Sequence, residues 1–347
     1  MRLLVCLFFS IVCAILQVSG LQAGQTVLRL TLQQSVSDPI GQNIIGFKKE
    51  IEAKTNGSLK IEVLDKGQLY PDYQVPEAIG GGAVEMGVTQ LAQYSQFVSV
   101  AGIFMQPFLF NFEAIVRAAA RPGGDIRRMI DGPIVKETGA RVLWWEPHGW
   151  NVIFSKGPIT NPNAIANRNV RVFDDVAAEF VQLCGGTPQV ISESKQVEAL
   201  DLNLIDSSMA SSAAIKTYDL WRKTDTISDI RHSANILVIM INEDVWQKIP
   251  ADQKAIVLNA AKNAEAASWA DFDESNAEIY RYASAKGMSV KRPTADELVE
   301  WRVCSSSILE SFMSRAGRAG AELLAAYGRL RADPCCGVDS APRQHPE

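Results

Sequence analysis

The sequence predicts an α/β chain arranged as two similar lobes. Three observations lead there. Short apolar, β-branched runs alternate with longer helical patterns, one αβ unit occurs twice, and the chain of 347 residues is long enough for two cores. The strand-like runs fall at 27–32, 59–63, 85–89, 141–145, 152–155, 170–173, 189–191, 204–209 and 236–241. Helical periodicity fits 41–55, 74–79, 123–137, 174–183, 193–200 and much of 250–286. Asn56 and Gly57 both tolerate positive φ and give the first helix a stop. Thr294 and Glu297 have the spacing of a capping box, opening a last helical stretch to about residue 330.

The repeated unit runs from Glu77 to Thr89 and again from Glu198 to Ala210. In both, a helix ends at a residue able to adopt the left-handed conformation (Gly82, Asn203), an aliphatic pair follows, then an acid and a strand. A protein that closes two similar lobes around something would be built this way.

Residues 1–23 read as a cleavable signal peptide. Arg2 supplies the positive end, an apolar stretch from Leu3 to Leu16 is too short to span a bilayer, and Gly20 and Ala23 offer small residues for cleavage. Removing it takes away Arg2 alone, so the formal net charge moves from -5 to -6. A mildly acidic chain without a basic block argues against a nucleic-acid partner. Cys184, Cys304, Cys335 and Cys336 survive processing, at a spacing that fits no metal motif, and their pairing stays open. Residues 332–347 hold three prolines and no periodicity, the composition of a disordered tail.

The catalytic inventory is thin. The three histidines, His148, His232 and His345, have no partner at ligand spacing, so neither a metal nor a cofactor is expected. Gly80–Gly81–Gly82 follows a helix rather than a strand and reads as a C-cap, not a phosphate loop. Ser192-Glu-Ser-Lys195 matches the Ser-x-x-Lys pattern of acyl-enzymes but lacks its companion motifs; a serine there makes a natural N-cap. Arg171 lies inside the apolar run 169–173, either on an edge strand facing solvent or projecting into a cleft as an anion clamp. Trp144, Trp145 and Trp150 flank the break at Pro147-His-Gly149, where the chain changes lobe; they are core or cleft lining.

Several short pieces, in a fixed order, resemble one family. They are Leu28-Arg-Leu30, Lys54-Thr-Asn-Gly57, Gly67-Gln-Leu69, Glu77-Ala-Ile, Pro107-Phe-Leu-Phe110 and Gly149-Trp-Asn151. Asn169-Val-Arg-Val172, Gly185-Gly-Thr-Pro188, Glu198-Ala-Leu200 and Leu204-Ile-Asp206 complete the set, which runs from about residue 27 to 327. The chain resembles the solute-binding subunits of tripartite ATP-independent periplasmic (TRAP) transporters, the C4-dicarboxylate-binding-protein family.

That resemblance implies a two-lobe periplasmic-binding-protein fold with crossing hinge strands and a long helix spanning both lobes. Lobe I would comprise 24–148 and 235–290, lobe II 149–234, with 291–331 packed on them. It implies a periplasmic protein, no enzyme, that captures a small organic acid and delivers it to small and large membrane permease subunits. The alternative is a ligand-sensing partner of a membrane sensor with the same fold. Arg171 falls at the family's carboxylate-holding position, and a guanidinium fork matches a carboxylate's two oxygens.

Trp150, Asn151, Ser211, Gln33 and Gln90 are the further expected ligand contacts. Ala210 stands where many members carry a ligand-contacting Asn, so Ser211 would supply a hydroxyl instead. Asn151 stands where sugar-acid binders carry a second arginine. One carboxylate on an uncharged or apolar body, a monocarboxylate, is therefore favoured over a dicarboxylate.

Overall fold

The computed structural model of the chain describes residues 25–270 and 272–333. The expected signal peptide lies outside the described residues, as does the expected tail from 334 onward. Among the described residues nine strands make one mixed sheet: β1 (Thr26–Thr31), β2 (Leu59–Leu64), β3 (Met86–Gln90), β4 (Ala140–Ser155), β5 (Asn169–Val172), β6 (Thr187–Val190), β7 (Ser207–Ser211), β8 (Thr226–Asn242) and β9 (Ser289–Lys291). Their order is β2-β1-β3-β8-β4-β7-β5-β6, with β9 beside β8.

Two strands are far longer than expected. The separate runs at 141–145 and 152–155 belong to the single strand β4, which passes through Pro147-His-Gly149 instead of breaking there. The run at 236–241 is only the second half of β8. These two pair antiparallel from Ala140 opposite Asn242 to Ser155 opposite Thr226. Their first and last halves serve different ends of the sheet, which makes them the crossing strands between lobes.

Both are irregular at the crossing. The register shifts between Pro147 and Trp150, where a residue without an N–H costs no ladder bond. On β8, residues 229–232 bulge, Arg231 takes φ 42°, and the His232 carbonyl accepts Phe108 N–H at 2.6 Å. Gly149 has φ 79°, and a Cβ there would stand 2.4 Å from Ser212 Oγ, so only glycine fits this bend.

The repeated unit is built alike in both halves. Gly82 and Asn203 have φ 73° and 53°. Ala83 N–H reaches Ala78 O, and Leu204 N–H reaches Ala199 O, both at 2.9 Å. The acid that follows caps a neighbouring strand: Glu85 accepts Arg29 N–H at 2.9 Å, and Asp206 accepts Asn169 N–H at 2.7 Å. Each acid thus ties the entry of β3 or β7 to its parallel partner.

In the first half, helix Pro39–Lys54 shows why the core forms. Ile40, Ile44, Phe47 and Ile51 recur at helical spacing and are buried, Pro39 presets the first turn, and the chain leaves through Asn56 and Gly57 at positive φ. Phe47 meets Trp144 at 4.7 Å between ring centroids, with Leu28, Leu30 and Ile239 in the same cluster. The helix expected over 250–286 is a pair, Ala251–Ala270 and Phe272–Ala285, on either side of residue 271, which lies outside the described residues. The first packs on Pro39–Lys54 and β4; the second packs on Ala214–Thr217 and β9. β9 pairs with Thr226–Ser228, so residues 289–290, expected in lobe I, lie beside the other half of β8.

The second half gathers Ile153, Val170, Val172, Phe180 and Trp301 into its own core. The expected capping box is present at Thr294 and Glu297, and helix Ala295–Cys304 brings Cys304 to Cys184, with which it forms a disulfide. The stretch after it, Ser307–Ala332, is kinked at Gly317.

Candidate ligand-binding cleft

In each half the parallel strands point their carboxyl ends at the crevice between lobes, where ligands of open α/β sheets bind. The first half brings Gln33 and Gln34 just after β1, and Asp72 on the turn after β2. From the second come Arg171 on β5, Asp174 after it, Glu193 after β6, and Tyr218 beyond β7. The halves touch directly. Gln34 Nε2 donates to Glu193 Oε2 at 3.2 Å, Gln93 Nε2 to Phe173 O at 2.8 Å, and Tyr218 OH to Gln33 O at 3.4 Å.

Arg171 is wholly buried. The edge-strand alternative is thereby excluded: β5 lies between β6 and β7. Its Nε donates to Ile191 O at 2.8 Å and its Nη1 to Met209 O at 3.0 Å. A guanidinium has five N–H donors, so three remain, one on Nη1 and two on Nη2. The Nε edge is thus occupied, and the remaining donors lie on Nη1 and Nη2. Asp72 Oδ2 stands 4.0 Å from Nη2, an electrostatic contact too long for a hydrogen bond.

Asp72 and Glu193 are both 2% exposed. Burial pushes the Glu193 carboxyl up to about 7, with Arg171 opposing the rise and Asp72 adding to it. Burial likewise raises Asp174 to about 7, although its side chain caps the next helix by accepting Ala177 N–H at 2.7 Å. Tyr218 is raised as well, by burial first and then by Glu193 and Asp72.

The other expected contacts fall into separate groups. Gln33 is in the cleft: its Nε2 donates to Tyr70 O at 2.8 Å, and its Oε1 is buried without a partner. Gln90 and Asn151 meet through Asn235, whose Nδ2 donates to Gln90 Oε1 at 3.2 Å and to Asn151 Oδ1 at 3.0 Å. Asn151 then donates to Ser233 Oγ at 2.8 Å, so this network crosses the hinge strands. The Ser211 hydroxyl is spent at the bend, donating to His148 O and accepting Ala213 N–H. Trp150 packs its ring on Phe272, centroids 5.8 Å apart, under the guanidinium of Arg231.

The sequence alone does not single out Asp72, Gln34, Glu193 or Tyr218. Glu193 sits inside the Ser192-Glu-Ser-Lys195 pattern, hidden by the attention that pattern draws to its serine. Ser192 does take the N-cap position of a short 3-10 turn, but its side chain makes no capping bond. No short-range signal marks Asp72; it becomes a cleft residue only when β2 and β5 are placed on opposite lobes.

Two half-sheets facing each other across a crevice, joined by crossing strands and enclosing a buried guanidinium, are the architecture of a two-lobed solute receptor. The chain belongs to the bacterial extracellular solute-binding protein family 7, whose model matches residues 32–316. It is similar to the C4-dicarboxylate-binding periplasmic protein DctP of Rhodobacter capsulatus, with 24% identity over 301 residues covering 85% of this chain and 88% of that one. Among solved structures it is similar to DctP7 of Bordetella pertussis, an extracytoplasmic solute receptor binding pyroglutamic acid. The TM-score is 0.81, with 21% identity over 87% of this chain and 99% of that one. A TRAP periplasmic solute binding protein of Sulfurospirillum deleyianum with bound succinate gives 0.79, with 22% identity over 87% and 99%. The fold is that of the TRAP solute receptors, and the protein is a solute receptor, not an enzyme. No helix among the described residues is long and apolar enough to cross a membrane.

Proposed function

We propose that this protein captures a small organic acid in the cleft, on the free N–H groups of Arg171, and hands it to the small and large permease subunits of a TRAP transporter. The observation that carries the reading is the Arg171 guanidinium, fully buried, with Nη2 unpartnered. Buried N–H donors left without an acceptor are costly, and a carboxylate fits the end-on fork. Pyroglutamate and succinate, bound by the two receptors above, share that group. Closure would move the first half-sheet with its helices against the second about the irregular stretches of β4 and β8.

The test is calorimetry on Arg171→Ala. Truncating one partner of a buried, hydrogen-bonded charge pair costs about 2–5 kcal/mol, which is roughly thirty-fold to several thousand-fold in affinity. A folded variant that binds its acid within about threefold of the parent would remove Arg171 from the site. Residues 1–23 are the export leader in this reading. Amino-terminal sequencing of exported protein should then begin near Leu21 or Gly24, and a retained Met1 would refute it.

A further inference from the structure

We infer that the ligand is a zwitterion, its carboxylate on Arg171 and an adjacent ammonium on Asp72 and Glu193; this rests on the reading of the cleft given above. The first argument is charge. One guanidinium faces the carboxylates of Asp72 and Glu193, with that of Asp174 also nearby, and Arg171, Asp72 and Glu193 are all 2% exposed or less. With both acids ionised the cleft already carries an excess negative charge. A plain carboxylate would add another in a medium that screens it poorly. A zwitterion adds none.

The second argument is the inventory of donors and acceptors. Both oxygens of Asp72, Oε1 of Glu193, and Oε1 of Gln33 and Gln34 are buried acceptors without a partner. Buried polar atoms are nearly always hydrogen-bonded. Such a wall calls for a group that donates several times and accepts nothing. An ammonium does this, whereas a hydroxyl gives one hydrogen and needs one in return. Arg171 Nη2 and Asp72 Oδ2 lie 4.0 Å apart, so carboxylate and ammonium sites adjoin, as in a 2-amino acid.

The pH dependence gives the inference a sign. Glu193 faces Arg171, Asp72, Gln34, Asp38 and Tyr218, and its carboxyl is pushed up to about 7 by burial. A bound ammonium would pull it down, so binding would release a proton and affinity would rise with pH through about 7. A plain anion would favour protonated Glu193, and its affinity would fall over the same range.

The experiment uses matched pairs on the mature protein: alanine and lactate, proline and tetrahydrofuran-2-carboxylate, glutamate and 2-hydroxyglutarate. Thermal shift at about 10 mM selects the tightest pair and calorimetry measures it, since RT ln(1 + [L]/Kd) makes even weak binders visible there. The zwitterion should bind at least about tenfold more tightly than its partner, a difference of about 1.4 kcal/mol. Asp72→Asn or Glu193→Gln should shrink that ratio to within about threefold, and Arg171→Ala should weaken both members alike. A hydroxy or ether acid that binds as well as its amino partner overturns the inference. So does a ratio unchanged in both acid variants, an affinity that falls from pH 6 to 8, or a panel in which no zwitterion shifts the melting temperature. If Arg171→Ala leaves binding intact, the cleft reading itself fails; if it abolishes binding while the ratio stays flat, the zwitterion fails alone.

Discussion

Strand order β2-β1-β3-β8 in the first half-sheet is matched by β6-β5-β7-β4 in the second, with parallel and antiparallel pairings in the same places. Register makes the correspondence exact to the residue in one stretch. Leu30 and Thr31 pair with Met86 and Gly87; Val170 and Arg171 pair with Ser207 and Ser208. Thr31 is therefore the first half's counterpart of Arg171, and both are wholly buried. One scaffold has been given a hydroxyl on one side and a guanidinium on the other. The cores differ too: Phe47 packs on Trp144 in the first half, whereas the second stacks Phe180 on Trp301 beside the Cys184–Cys304 disulfide. Fold repeats, and chemistry does not.

The sharpest way to break this contrast is to attack the aromatic core of the first half. Phe47 is buried against Trp144. Phe47→Ala should cost about 3–5 kcal/mol, read by denaturant unfolding and unaffected by reductant. A loss below about 1 kcal/mol would mean the site collapses to fill the hole, and the core is less specific than the contacts imply.

The next effect belongs to the second half. Cys184 and Cys304 close a separation of 120 residues and tie helix Ala295–Cys304 to the end of helix Asp175–Leu183. Cys304→Ser, or reduction of the parent, should cost about 2–4 kcal/mol. Hydrogen exchange should rise in the second half and the C-terminal helices, with little change around Phe47. Uniform loosening of both halves would show that the lobes unfold as one unit.

Legibility in the sequence follows the same division. β2, β3 and β7 are readable because a left-handed cap precedes each of their apolar runs. The first half of β8 is not, because Asp229, Arg231 and His232 interrupt its apolar pattern at the bulge. The Pro147-His-Gly149 break looked like a chain break, yet the antiparallel partner carries the strand through it. Arg171 could be picked out by its apolar neighbours, but its orientation came from resemblance, since periodicity alone left solvent and cleft open. Asp72 and Glu193 become visible only with the fold, because Asp72 meets Arg171 and Glu193 meets Gln34 across the lobes. Trp150 is a different case: its local sequence marks an aromatic at the hinge and says nothing about which face the ring takes.

The smallest effect is the most direct test of equivalence. Glu85 and Asp206 occupy the same place in the repeat and each accepts one N–H of the neighbouring parallel strand, from Arg29 and Asn169. Glu85 does more, since Arg29 Nε and Nη2 also donate to it at 2.8 Å, and that pair holds its carboxyl below the usual range. The extra bonds are half-exposed, so they should add little. Asp206→Ala should cost about 0.5–1.5 kcal/mol for one charge-assisted bond near the surface, and Glu85→Ala the same or up to about 1 kcal/mol more. Because the Glu85 carboxyl is depressed in the folded protein, its contribution is complete above its ordinary range and is lost as pH falls. If Asp206→Ala is neutral while Glu85→Ala is not, the shared acid is a coincidence of sequence. The stabilisation at that corner would then belong to the Arg29 pair, and the repeat would extend to backbone geometry alone.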